Sequence, residues 1–188
     1  MPQPDEISLL RAVQQRDRQA QAEFYQLYKR RMMGICRRYT RLTQEAEDLF
    51  QECIIRVFNQ IDTVRQPESV EAWVRSIVIR TAINHYRSEA AAGQPVPLTE
   101  ADEPLTDAES ELLAKLSEEE LIRLINALPD GYRTVFNLYV IDGYTHADIS
   151  KMLNIQESTS KSQLTRAKAL VRRQLRQLHP FAYGTCTE

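Results

Sequence analysis

The chain has 188 residues, 43% of them apolar and 27% charged, with a formal net charge of −2. That length holds one or two small domains, and the balance is ordinary for a globular protein. Five glycines and eight prolines argue against a β-rich fold full of tight turns. No apolar run is long enough to span a membrane, and the opening Met-Pro-Gln-Pro-Asp-Glu is not a signal peptide, so a cytoplasmic chain is expected. Cys36, Cys53 and Cys186 are odd in number and lack metal-ligand spacing. The first two read as small buried hydrophobes, and Cys186, near the tail, as a reactive or an incidental thiol. There is no P-loop, no paired metal ligands and no nucleophile–base constellation, so neither enzyme chemistry nor a cofactor is expected.

In chain order, residues 1–92 read as a first domain of four helices. Ile7, Leu10 and Val13 pattern a short one. The second, over residues 24–41, is strongly basic, with Lys29, Arg30, Arg31, Arg37, Arg38 and Arg41 and no acid. Thr43 is expected to N-cap a third helix running to about Ile61, and Ser69 a fourth ending near Arg87. At about 100° per residue, Leu49, Phe50, Cys53, Ile54, Val57 and Ile61 fall on one side of the third helix as core. Asp48, Gln51, Glu52 and Ile55 fall on the other. Two acids, an amide and an exposed isoleucine suit plain surface or the groove of a partner. The fourth helix carries no acid over residues 72–87. Val74, Val78, Ile79, Ala82, Ile83 and Tyr86 face the core, and Trp73, Ser76, Arg80, Asn84 and Arg87 form the opposite stripe. Cations for phosphates and planar groups for bases suit nucleic acid, with Trp73 assigned rather to core packing.

From Glu89 to Glu120 there are ten acidic residues and one basic, a local −9, so a chain of net −2 carries +7 elsewhere. Gly93, Pro95, Pro97 and Pro104 break periodicity there, and residues 93–110 read as an acidic flexible linker. Such a tether is a solvated spacer, or a segment that repels DNA or competes for basic faces.

The second domain, residues 111–180, is expected to hold a helix from near Ser110 to Leu128, a break at Pro129-Asp130-Gly131, and a helix to about Ile141 stopped by Gly143. A helix-turn-helix follows. Thr145-His146-Ala147-Asp148 fits a capping box, Ile149, Met152 and Leu153 give an apolar face, and Asn154 suits the left-handed turn. In the last helix Leu164, Ala167, Val171, Leu175 and Leu178 form one stripe; Ser158, Ser162, Thr165, Arg166, Arg172, Arg173 and Arg176 form the other. Seven Lys/Arg against Glu157 over residues 151–176 make this stretch +6. Two helices joined by a short turn, the second basic, form the arrangement that reads the DNA major groove. Residues 181–188 are a tail.

These segments together resemble the sigma-70 family, specifically its small extracytoplasmic-function sigma factors. Ala46-Glu47-Asp48-Leu49-Phe50-Gln51-Glu52 resembles the block that grips the polymerase β′ clamp helices. The segment Trp73-Val74-Arg75-Ser76 through Arg80, Asn84 and Arg87 resembles the helix that engages the −10 element. Leu128-Pro129-Asp130-Gly131-Tyr132-Arg133, Gly143-Tyr144-Thr145-His146 and Thr159-Ser160-Lys161-Ser162-Gln163-Leu164-Thr165-Arg166 resemble the domain that reads the −35 element. The resemblance implies an all-α fold of a region 2-like four-helix domain and a region 4-like helix-turn-helix domain. It implies a non-catalytic factor that docks on core RNA polymerase (β′ clamp helices and β flap) through Asp48, Gln51, Glu52 and Ile55. Arg75, Ser76, Arg80, Asn84 and Arg87 would meet the −10 element. Residues 62–69 would capture a flipped base. Ser158, Lys161, Ser162, Gln163, Thr165 and Arg166 would meet the −35 element, and an anti-sigma factor would be the controlling partner. Ser150, Asn154 and Ser160 depart from the commonest pattern, where alanine, glycine and an apolar residue are usual. A response-regulator output protein would need the alternating strands of a receiver, which the first domain lacks.

Overall fold

Apolar positions recur at the helical period in both halves of the chain, and the computed structural model is all-α over the residues it describes, 4–90, 111 and 113–178. The chain divides into two compact units, Met1–Ser88 and Glu89–Glu188.

The first unit comprises α1 (Pro4–Gln14), α2 (Arg18–Tyr39), α3 (Thr43–Gln60) and α4 (Val70–Ala90). Arg16 takes a positive φ of 65° where α1 gives way to α2, and the Asp17 carboxylate caps α2 by accepting the Ala20 N–H at 2.8 Å. Of the expected core, Leu10, Val13, Leu49, Phe50, Val57, Val74, Val78 and Ile83 are buried, while Ile7, Ile54 and Tyr86 are half-buried; Phe24 and Met32 of α2 join it. Phe24 anchors it, its ring 4.5 Å from Tyr28 and 6.0 Å from Phe58 between centroids. Cys36 and Cys53 are buried free thiols. A hydrogen bond with Cys53, and burial, push the Cys36 thiol up. Cys186 lies outside the described residues.

The α3–α4 connection is held from a distance. Gln14 Nε2 donates to the carbonyls of Ile61 (3.1 Å) and Val64 (3.0 Å). Arg16 donates to the Phe58 carbonyl and pairs with Asp62, each at 2.6 Å. Helix α1 therefore braces residues 61–64, which fold as a 3-10 turn over Ile61–Thr63. Two expected caps differ. Leu42, not Thr43, is the N-cap of α3, because Glu45 reaches back to accept the N–H groups of Arg41 (3.1 Å) and Leu42 (3.2 Å). Ser69 does precede α4, but it ends a 3-10 turn (Pro67–Ser69) and its hydroxyl donates to the Gln66 carbonyl at 2.7 Å.

The second unit comprises α5 (Glu118–Asn126), α6 (Asp130–Phe136), a π-helical turn (Asn137–Ile141), α7 (His146–Leu153) and α8 (Glu157–Leu178). The continuous helix expected from Ser110 to Leu128 is interrupted. The chain bends at Leu116 and Ser117 starts α5 with a capping box, its N–H donating to Glu120 at 2.9 Å and its hydroxyl accepting the Glu120 N–H at 3.3 Å. Extended Pro129 makes the anticipated break before α6. The π turn was not anticipated: the Asp142 N–H donates five residues back, to Asn137, at 2.8 Å. Gly143 then turns the chain at φ +78°. Helix α8 packs against α5, α6 and α7, with Leu164, Ala167, Val171 and Leu175 buried.

The helix-turn-helix is built by local chemistry as expected. Thr145 caps α7, its hydroxyl accepting the Asp148 N–H at 3.2 Å while its N–H donates to Asp148 at 3.3 Å. The Thr145 hydroxyl, which donates to the Asp148 carboxylate, and then the Thr145 N–H hold that carboxyl below its ordinary pKa. Asn154 ends α7 in the left-handed region, φ 54° and ψ 48°. Asn154→Val should destabilise the second unit by roughly 1–2 kcal/mol, since a β-branched residue resists that conformation, whereas Asn154→Gly should not. Denaturation followed by the circular dichroism of the two variants checks this; equal midpoints would count against a strained turn.

Candidate nucleic-acid interface

Around the start of α8, Ser158 and Lys161 are exposed and Ser162, Gln163, Thr165 and Arg166 are half-buried. Lys161 pairs with Glu157 one turn back at 2.8 Å, a contact that lowers the Glu157 pKa. Both side chains are largely in water, so solvent screening leaves the pair little weight in stability. The Ser162 hydroxyl donates to the Thr159 carbonyl (3.0 Å) and that of Thr165 to the Lys161 carbonyl (3.1 Å), and each oxygen keeps acceptor capacity. Arg166 is turned inward: its Nη1 donates to the Tyr132 hydroxyl at 3.0 Å, with the guanidinium 5.8 Å from that ring's centroid. Arg173 and Arg176 are exposed further along.

Two polar links between helices of this unit escape the sequence pattern. His146 Nδ1 lies 2.9 Å from the hydroxyl of fully buried Ser160. Its ring stacks on Tyr139, centroids 4.4 Å apart and planes 23° apart, and Lys168 Nζ lies 5.9 Å over that same tyrosine. Desolvation first, then the charge of Lys161, holds the His146 pKa below its ordinary value. Both the His146–Ser160 and Tyr132–Arg166 links join residues from different helices, so no local spacing announces them.

In the first unit the α3 face carries Asp48 and Gln51 in the open and Ile55 at 59% exposure, with Glu52 held in the fork of Arg56 at 3.0 and 2.6 Å. On α4, Arg75, Arg80, Asn84 and Arg87 are exposed, and half-buried Ser76 donates to the Trp73 carbonyl at 2.8 Å. Trp73 is half-buried rather than fully packed. Glu71, one turn before Arg75, pairs with Arg31 of α2 at 2.9 Å. Asp48, Gln51, Glu52 and Ile55 share one face of α3, whereas on α4 Arg75 lies about 100° or more around the helix from Ser76, Arg80, Asn84 and Arg87. The acidic linker and the tail lie outside the described residues.

The family description "Sigma-70 region 2" matches residues 24–92, and "Sigma-70, region 4" matches residues 111–171. The chain is 26% identical to the RNA polymerase sigma-H factor of Pseudomonas aeruginosa over 95% of its own length and 97% of that protein. It is 28% identical to the ECF sigma factor SigW of Bacillus subtilis, over 90% and 96%. With the ECF sigma factor SigK of Mycobacterium bovis identity reaches 30%, over 84% of this chain and 86% of that one. The chain belongs to the extracytoplasmic-function group of the sigma-70 family. This sigma factor binds RNA polymerase and recognises promoters, as a regulatory and non-catalytic subunit of the holoenzyme. Its region 2 match spans α2 to α4, and its region 4 match spans α5 to most of α8. Among the described residues, no helix of the sigma factor is long and apolar enough to cross a membrane.

Proposed function

We propose that this sigma factor reads a two-part promoter, with residues 1–92 serving the polymerase and the −10 element and residues 111–180 the −35 element. What supports the reading is the order of the two matched segments on one chain, each presenting an exposed polar or basic stripe on a single helix. The α3 face of Asp48, Gln51, Glu52 and Ile55 meets the β′ clamp helices. On α4, Arg75, Ser76, Arg80, Asn84 and Arg87 meet the −10 strand. Residues 62–69 receive a flipped base, whose stacking offsets an unstacking cost of about a few kcal/mol and so assists melting. Ser158, Lys161, Ser162, Gln163, Thr165 and Arg166 serve the upstream duplex, with Arg172, Arg173 and Arg176 on phosphates. The second unit also meets the β flap, and the half-exposed apolar pair Tyr139 and Val140 suits such a partner. An anti-sigma protein holds the factor inactive by covering the α3 face, the second unit, or both.

Reconstituted transcription tests this. The purified chain is combined with bacterial core polymerase and a fragmented genomic library from its host, and RNA 5′ ends are sequenced. Start sites sharing two upstream elements at fixed spacing are expected; DNA binding without initiation would refute the reading. Arg166→Ala should lower use of such promoters through the upstream element, by roughly 1–3 kcal/mol for a lost base contact. Tyr132→Phe separates that contact from positioning, because it frees the guanidinium without removing it. A loss in Arg166→Ala that persists on promoters with the upstream element scrambled would assign Arg166 to packing.

A further inference from the structure

We propose that His146 is a positioning residue for the reading helix: its neutral imidazole, hydrogen-bonded to Ser160, seats the start of α8 against α7 and so sets the reach of Ser158, Lys161 and Ser162 toward DNA. The proposal rests on the reading that the second unit recognises the upstream element.

The buried hydroxyls of this protein show why the bond stands out. Thr40 and Thr134 each donate to a carbonyl four residues back, at 3.0 and 2.8 Å, and such bonds satisfy the hydroxyl without tying it to another element. Thr81 does the same at 2.8 Å and also meets the Cys53 thiol of α3. Ser160, 0% exposed in the first turn of α8, instead meets a side chain fourteen residues away at the start of α7. Its partner ring is itself fixed from the other side by stacking on Tyr139 of the π turn. One imidazole therefore touches three segments, and Ser160 lies between Thr159 and Lys161 on the helix that carries the reading face. A shift of Ser160 moves the whole first turn.

The charge state of that ring matters. The groups facing it are Lys161, Lys168 and Glu157 on α8 and the Tyr139 ring on the π turn, and Glu157 is already engaged by Lys161. An imidazolium would be a third cation beside two ammonium groups, in a partly desolvated position. The folded pKa lies below the ordinary 6.5, so the neutral arrangement is at full strength above about pH 6.5 and is lost as pH falls through the lower folded value.

The test uses holoenzyme on the promoters recovered above, each with an intact or a scrambled upstream element, from pH 8 to 5.5. The ratio of transcripts from intact to scrambled templates cancels the polymerase's own pH dependence. In the unsubstituted protein this ratio should fall several-fold below pH 6.5. H146Q, which retains hydrogen-bonding capacity but neither stacks on Tyr139 nor titrates, should lose the pH dependence. S160A, checked as folded by circular dichroism, should lower the ratio already at pH 8. A ratio well above one in the unsubstituted protein that H146Q and S160A leave unchanged in size and pH profile would overturn the positioning role alone. A ratio near one at every pH would overturn the upstream-element reading itself, and this proposal with it.

Discussion

Ile55→Arg should cut the affinity of this sigma factor for core polymerase at least about thirtyfold, the loss that goes with an interface hot spot of roughly 2 kcal/mol or more. Ile55 closes the C-terminal end of the α3 face that begins with Asp48, Gln51 and Glu52, and is 59% exposed. Its solvent exposure means the fold gains little from it, so the variant should melt like its parent. An exposed apolar residue beside polar ones is the kind of group that carries binding energy once a partner covers it. Asp48→Ala should cost less, and Glu52→Ala least, because Glu52 is already occupied by Arg56. Purified core polymerase titrated with each variant measures the order directly. Equal affinity for Ile55→Arg and parent would return this face to plain surface.

Phe24→Ala should destabilise the first unit by about 3–5 kcal/mol, the range for emptying a buried phenylalanine site. Phe24 is 2% exposed and its ring meets Tyr28 and Phe58, so its loss leaves a cavity between α2 and α3. Leu27, on the same helix but 46% exposed, is the internal control, and its truncation should stay within about 0.5 kcal/mol. Trp73 is the one tryptophan of the sequence and lies on α4, so its fluorescence during urea titration reports this unit. A Phe24→Ala midpoint indistinguishable from that of Leu27→Ala would contradict the packing described.

What the sequence disclosed was what local chemistry decides. Thr145 with Asp148 spans one turn, and Asn154 answers a single backbone position, so both were readable from residues three or four apart. The core and surface stripes of α3, α4 and α8 were readable because one helical period governs each. The start of α3 moved to Leu42 because two signals competed and Glu45 from within the helix prevailed over a threonine at its edge. The helix placed from Ser110 to Leu128 broke because Ser117 and Glu120 form a capping box inside an acidic run that reads as uninterrupted helix. The links Tyr132–Arg166 and His146–Ser160 join residues 34 and 14 apart, and only the packed fold brings them together. Arg166 shows what one helix read alone leaves out: angular position puts it on the outer stripe, and the fold adds its bond to Tyr132.

The π turn at Asn137–Ile141 carries a consequence for how this domain tolerates changes in length. Its hydrogen bond spans five residues where an α-helix spans four, so the segment accommodates one residue more than a regular turn would. Removing Val140 would let the turn close as ordinary α-helix, and because the wider turn has absorbed that residue, everything after it would keep close to its present bearing. The same deletion inside α7 or α8 would turn every later residue by about 100° and draw it back by about 1.5 Å. A single-codon deletion is therefore best tolerated here, where the helix holds a residue in reserve.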